Sequence, residues 1–120
     1  MKTVSQEVQE LSINSLESTL TKLSNAYTSM TEKGSNTALV KKRRDAIQVG
    51  LESLHDVWRD IDFFHNKEEI LQSKKVLQSI VPSIEKQLAK AKDGSPQKTV
   101  NERRLIALKL AIESLENRLV

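Results

Sequence analysis

Residues that interrupt regular structure are scarce in this chain. Its 120 residues include only 3 glycines and 2 prolines. Apolar side chains recur at the three- and four-residue spacing of an amphipathic helix through most of the sequence. Aromatic residues make up 3% of the chain, which is too few for the strands of most β-sandwiches and barrels. We therefore predict an all-α fold without a sheet.

Start and stop signals divide the chain into four predicted helices. Gly34 and Gly94 each follow a helical segment. Glycine is common just after the last residue of a helix. Asn66 and Ser95 each precede a helical segment and are good N-caps. These signals predict helices at about 3–33, 36–65, 67–92 and 96–119. The length predicts one domain, 1–120, and the short connections predict an antiparallel up-and-down four-helix bundle.

The first predicted helix carries two apolar faces instead of one. Val4, Val8 and Leu11 share a face that is turned away from the face of Ile13 and Leu16. Between the two faces lie residues 12–15, which are rich in capping side chains. We predict that the first helix is kinked or split near 12–15. A split would leave a separate N-terminal arm that packs on the bundle or on another chain.

Gly50 and Pro82 interrupt the second and third predicted helices. Each residue lies 16 positions from Asn66 along the chain. In an antiparallel hairpin that turns at Asn66, the two residues would therefore lie at the same level. This spacing predicts a matched bend, with a small cavity as the alternative.

Groups that carry chemistry are few. The chain has no cysteine, no Gly-x-Ser-x-Gly segment and no glycine-rich phosphate loop. Glu52 and His55, and likewise Asp62 and His65, have a spacing found in di-metal helical bundles, but both pairs fall on one predicted helix. We therefore expect no enzymatic activity, metal or cofactor. His65 is expected to find a backbone or carboxylate partner.

Several apolar residues fall outside the main stripes. The stripe of the last helix consists of Leu105, Leu108, Ala111, Ile112, Leu115 and Leu119. Ile106 and Leu110 lie on the opposite face of that helix. Together with Val4, Val8 and Leu11 they form a predicted interface. One alternative is that these five residues cover each other within the chain. The other is that they bind a helical partner protein or a second copy of the chain in a homodimer.

Positive charge is concentrated in the C-terminal half of the chain. The net charge is +3, with residues 67–94 and 95–120 contributing +2 each. The densest basic clusters lie near the starts of the second and fourth helices, which share one end of an up-and-down bundle. This predicted basic patch consists of Lys41, Lys42, Arg43, Arg44, Arg103 and Arg104. Nucleic acid is the less favoured ligand, because few rings are available for base stacking.

The combined pattern predicts a non-enzymatic protein-interaction module, such as an adaptor, a chaperone-like partner, an inhibitor or an immunity-type protein. One alternative is nucleic-acid or acidic-partner binding through the basic patch. A second alternative is a helical bundle that binds a small ligand or a metal. No apolar run approaches the roughly 18 residues of a membrane span, and no signal peptide is apparent. We therefore expect a soluble cytoplasmic protein.

Overall fold

Four helices make up most of the chain. The computed structural model describes residues 1–120. Helix α1 spans Gln6–Glu32, α2 spans Ala38–Arg59, α3 spans Lys67–Lys90 and α4 spans Pro96–Arg118. No strand is present. The predicted all-α fold of four helices is confirmed.

One apolar core joins the four helices. Helices α2 and α4 each pack against all three other helices, whereas α1 and α3 do not touch. The core is a single cluster of 15 buried apolar residues. Its large members without any exposed surface are Ile47, Leu54, Leu77 and Leu115. Because α2 and α4 meet across the middle, they are the central pair of the bundle.

The molecule is flattened. Its principal extents are 39, 37 and 21 Å. A helix of 22 to 27 residues is about 33–40 Å long, so one long extent is the length of a helix. The shortest extent, 21 Å, corresponds to two helix layers at the usual spacing of about 8–10 Å between packed helix axes.

Helix α1 is continuous through residues 12–15. It begins after Ser5, whose hydroxyl accepts a hydrogen bond from the Val8 amide at 3.2 Å. Ser12 and Ile13 are both buried within the helix. The predicted split into a separate N-terminal arm is wrong. Because α1 packs against both α2 and α4, each of its two apolar faces has a neighbour.

Helix α2 ends six residues earlier than predicted. Asp60 has a left-handed backbone conformation, with φ of 54°, and follows the last helical residue. Its amide donates to the Asp56 carbonyl at 3.1 Å, and the Ile61 amide donates to the His55 carbonyl at 3.4 Å. Residues 60–66 therefore form a loop. The predicted helical segment 60–65 is wrong because the backbone reverses its handedness at Asp60.

The early end of α2 changes the register between α2 and α3. A Cβ atom at Gly50 would lie 3.1 Å from Cδ1 of Leu77 and 3.2 Å from Cβ of Ala111. The predicted pairing of Gly50 with Pro82 is therefore wrong. Gly50 is instead the position at which α2 closely approaches both α3 and α4. Pro82 lies on an exposed part of α3, which continues through it.

Candidate functional site

Most of the predicted apolar interface is covered by other residues of the same chain. Leu110 is only 5% exposed and belongs to the core, so the expectation that it lies on an outer face is wrong. Val4 and Val8 pack against the core as well. Leu11 and Ile106 line a small cavity of about 40 Å³ between α1 and α4. Within this set, only Ile106 retains a large exposed area, at 48%.

The start of α2 is partly neutralised by contacts within the chain. Lys41 and Arg44 each form an ion pair with Asp45, at 3.2 Å. The Arg44 guanidinium also lies 4.4 Å from the centre of the Tyr27 ring. Nε of Arg43 is buried without a hydrogen-bond acceptor. Lys42 and Arg43 form no ion pair, so this half of the predicted basic patch keeps a net positive charge.

Arg103 and Arg104 line cavities around the first turns of α4, and none of the four cations at the start of α2 lines the same cavities. Three adjoining cavities of about 210, 400 and 550 Å³ run from the α1–α4 contact to the α3–α4 loop. Five cations line them and define what we call the basic groove: Lys22, Lys90, Lys92, Arg103 and Arg104. No carboxylate lines any of the three cavities. None of the five cations forms an ion pair.

The floor of the basic groove is one polar face of α4. Gln97, Asn101 and Arg104 follow one another at spacings of four and three and so lie on the same side of the helix. Asn101 is only 7% exposed. Its side-chain amide forms no hydrogen bond within the chain. Nε of Arg104 is buried without an acceptor.

Of these groove residues, only Arg103 and Arg104 were predicted from the sequence, by their charge. Asn101 and the lysines of α1 and α3 were not predicted. One signal was available in the sequence. The core stripe through Leu108 and Leu115 continues toward the start of α4 at Arg104 and Asn101, where polar side chains replace apolar ones. A core stripe in which polar side chains replace apolar ones near one terminus of the helix indicates a solvent-exposed or functional surface.

His65 lies in the loop between α2 and α3 and faces two carboxylates. Its Nδ1 atom is 2.7 Å from Oε2 of Glu69, and its Nε2 atom contacts Oε2 of Glu52. Burial lowers the pKa of His65, but the hydrogen bonds and charges of Glu69 and Glu52 together raise it above its ordinary value. Donation from both ring nitrogens requires the protonated imidazolium. The expected carboxylate partner of His65 is confirmed.

The acidic side of the molecule surrounds this histidine. A cavity of about 620 Å³ lies between α2 and α3 and is lined by Asp45, His65, Glu68 and Glu69, among others. The structure brings Glu52 to His65 and leaves Nδ1 of His55 without a partner. No group of three or more His, Cys, Asp or Glu residues is arranged to hold a metal ion.

None of the four helices combines the length and apolar character needed to cross a bilayer.

No family model, curated protein or solved structure matches the chain. Its function is therefore inferred from the basic groove and the surfaces around it.

Proposed function

We propose that this protein is a non-enzymatic interaction module that binds an acidic segment of a partner protein in the basic groove. The observation that supports this function is the groove's uncompensated charge. Five cations line three adjoining cavities without a carboxylate among them. A complementary acidic segment would relieve their mutual repulsion and would be drawn to the groove by the same field.

The side chains between the cations favour a peptide over a nucleic acid. Proteins that bind single strands stack bases on exposed rings. No aromatic residue lines the groove, and the ring of Tyr27 is covered by Arg44. The groove instead contains the amides of Gln87, Gln97 and Asn101, which can hydrogen-bond to a peptide backbone.

The groove also lacks the groups that activate a nucleophile. Its hydroxyl groups belong to Ser15, Ser18 and Ser95, and no histidine or carboxylate lines the same cavities. A serine without a neighbouring general base is a weak nucleophile. This composition supports a binding role.

We further infer that successive helices run in opposite directions, as an up-and-down bundle requires. Lys74, near the start of α3, pairs with Glu116, near the end of α4, at 3.9 Å. Arg118, at the end of α4, reaches Asp56, near the end of α2, at 2.7 Å. Helices α2 and α4 then start at the same end. This arrangement places the exposed Lys42 at the end of the molecule that carries the groove.

Binding of a fluorescent acidic peptide, followed by anisotropy, tests the proposed function. We expect the double substitution Lys90→Glu/Lys92→Glu to weaken binding by about tenfold or more, since it reverses two charges of the groove. The matched control is Lys75→Glu/Lys109→Glu, which makes the same charge change at exposed positions of α3 and α4 outside the groove. We expect the control to bind within about twofold of the wild type.

Two outcomes would contradict the proposal. An equal loss in the control variant would show that net charge, and not the groove, attracts the peptide. Tighter binding of a single-stranded oligonucleotide than of the acidic peptide at physiological salt, with a steep salt dependence, would establish the nucleic-acid alternative instead.

A further inference from the structure

We infer that the middle cavity of the basic groove binds the phosphate monoester of a phosphorylated serine or threonine in that acidic segment. This inference rests on the proposed function, because the same groove holds the segment. The cavity measures about 400 Å³ and is lined by residues of α1, α3 and α4. We call it the Asn101 cavity. It is lined by Lys22, Gln87, Pro96, Gln97, Val100, Asn101 and Arg104.

Asn101 is the first reason for placing a ligand here. Asn101 is more than nine-tenths buried as a residue. Its amide has no partner within the chain and is not sealed from solvent. Because Asn101 lines both this cavity and the larger one beside it, the amide offers an unused hydrogen-bonding group where the two cavities join.

The charge of the cavity selects a phosphate over a carboxylate. A phosphate monoester carries about −1.5 to −2 charges at pH 7 and three strong acceptor oxygens. Lys22 of α1 and Arg104 of α4 supply two positive charges to the lining, and no carboxylate lines the cavity. The planar guanidinium matches phosphate geometry. Nε of Arg104 is buried, but its terminal nitrogens form no ion pair within the chain. A side-chain carboxylate would neutralise only one of these two cations.

The neighbouring cavities explain how a peptide reaches the site. The smaller cavity, beside Arg103, shares Val100 and Arg104 with the Asn101 cavity. The larger cavity, beside Lys90 and Lys92, shares residues of α3 and α4 with it. A chain running through all three would place a phosphorylated residue in the middle and acidic residues on either side. The first turns of α4 also carry the positive end of the helix dipole.

Three labelled peptides that differ only in the central residue test this inference. The residue is phosphoserine, glutamate or serine in an otherwise identical acidic sequence, and affinity is measured by anisotropy. We expect the phosphoserine peptide to bind about tenfold more tightly than the glutamate peptide. Asn101→Asp should abolish this preference, because it places a carboxylate inside the cavity. Asn101→Ala, which adds no charge, should reduce it about threefold.

Gln78→Glu is the matched control, since it makes the same amide-to-carboxylate change at an exposed position of α3. It should keep the full preference for phosphoserine. Circular dichroism and thermal unfolding of each variant establish that it is folded before its affinity is compared. Inorganic phosphate is added as a competitor, and we expect it to displace the phosphopeptide only weakly.

Each contrary result has a distinct meaning. Equal affinity for the phosphoserine and glutamate peptides would overturn the phosphate site and leave the proposed function standing. If none of the three peptides bound, both proposals would be wrong. An unchanged preference in Asn101→Asp would exclude this cavity as the site. Inorganic phosphate that competed as strongly as the phosphopeptide would show a site for free anions instead of a phosphorylated partner.

Discussion

At the scale of single residues, His65 connects the α2–α3 loop to both neighbouring helices. Glu52 belongs to α2 and Glu69 to the first turns of α3, so one imidazolium holds three segments together. The pKa of His65 is raised in the folded protein. The stabilisation from this residue is therefore complete below its unfolded pKa and is lost as the pH rises through the folded value.

The first prediction concerns this pH dependence. The free energy of unfolding of the wild type should exceed that of His65→Gln at about pH 5.5, by roughly 0.2–1 kcal/mol for a partly exposed ion pair. The difference should shrink toward about pH 8.5, as the imidazolium loses its proton. Urea denaturation at several pH values measures it. A pH-independent difference for His65→Gln would contradict the assignment.

At the scale of elements, α4 is buried over a wider arc than its apolar stripe indicates. It packs against three helices, and its buried residues include Ala107, Leu110 and Ser114 beside the stripe of Leu108 and Leu115. An apolar stripe that is one helix face wide can be buried by one or two neighbouring helices. A third neighbouring helix also covers the adjacent face of α4. Leu110 is therefore part of the core, although it lies only four residues from the exposed Ile106.

Alanine substitutions of Leu110 and Ile106 compare the stability contribution of a core residue with that of a surface residue on the same helix. Leu110→Ala should lower the free energy of unfolding by about 2–5 kcal/mol, since it removes a fully packed side chain. Ile106→Ala should lower it by less than about 1 kcal/mol, because 48% of Ile106 is already exposed to water. Chemical denaturation of both variants measures the contrast. Losses of similar size would show that the two residues share one environment.

At the scale of the whole molecule, Arg118 joins the ends of α2 and α4 to the loop between α2 and α3. Its Nε donates to the Ser53 hydroxyl at 2.8 Å, and its Nη2 donates to Asp56 at 2.7 Å. The guanidinium also lies 3.9 Å from the centre of the Phe63 ring. Ser53 is further hydrogen-bonded to Ser114 of α4 at 2.8 Å. This polar network closes one end of the bundle, opposite the end at which α4 begins.

Removal of this guanidinium should weaken the whole fold. We expect Arg118→Ala to cost about 2–3 kcal/mol in the free energy of unfolding, because charged hydrogen bonds and a cation–π contact are lost together. Arg118→Lys should recover only part of this loss, since an ammonium cannot reproduce the planar fork. Arg103→Ala, which removes an exposed and unpaired arginine, should change stability by less than about 0.5 kcal/mol. Thermal and urea unfolding compare the three variants, and equal losses in Arg118→Ala and Arg103→Ala would refute the role of the network.

Local signals predicted the starts of α3 and α4 at the observed residues, but not every helix end. Asn66 and Ser95 were expected as caps, and their side chains accept hydrogen bonds from the amides of Glu69 and Lys98, at 2.8 and 3.2 Å. A cap contacts residues within one turn, so the sequence contains all its parts. The end of α2 was missed because Asp60 adopts a left-handed conformation that favours glycine, and apolar residues continue beyond it.

The sequence by itself determined the number of helices and the approximate extent of each. It also showed that the chain contains few groups able to perform chemistry. These features depend on composition and on residues within a few turns of one another. Only the tertiary structure decided which faces are covered. It buried Leu110, paired Gly50 with Leu77, and brought Lys22 beside Asn101 and Arg104. The physical reason is that burial and charge compensation depend on the number and register of the packed neighbours. A change of six residues in one helix end shifts that register without altering any apolar stripe.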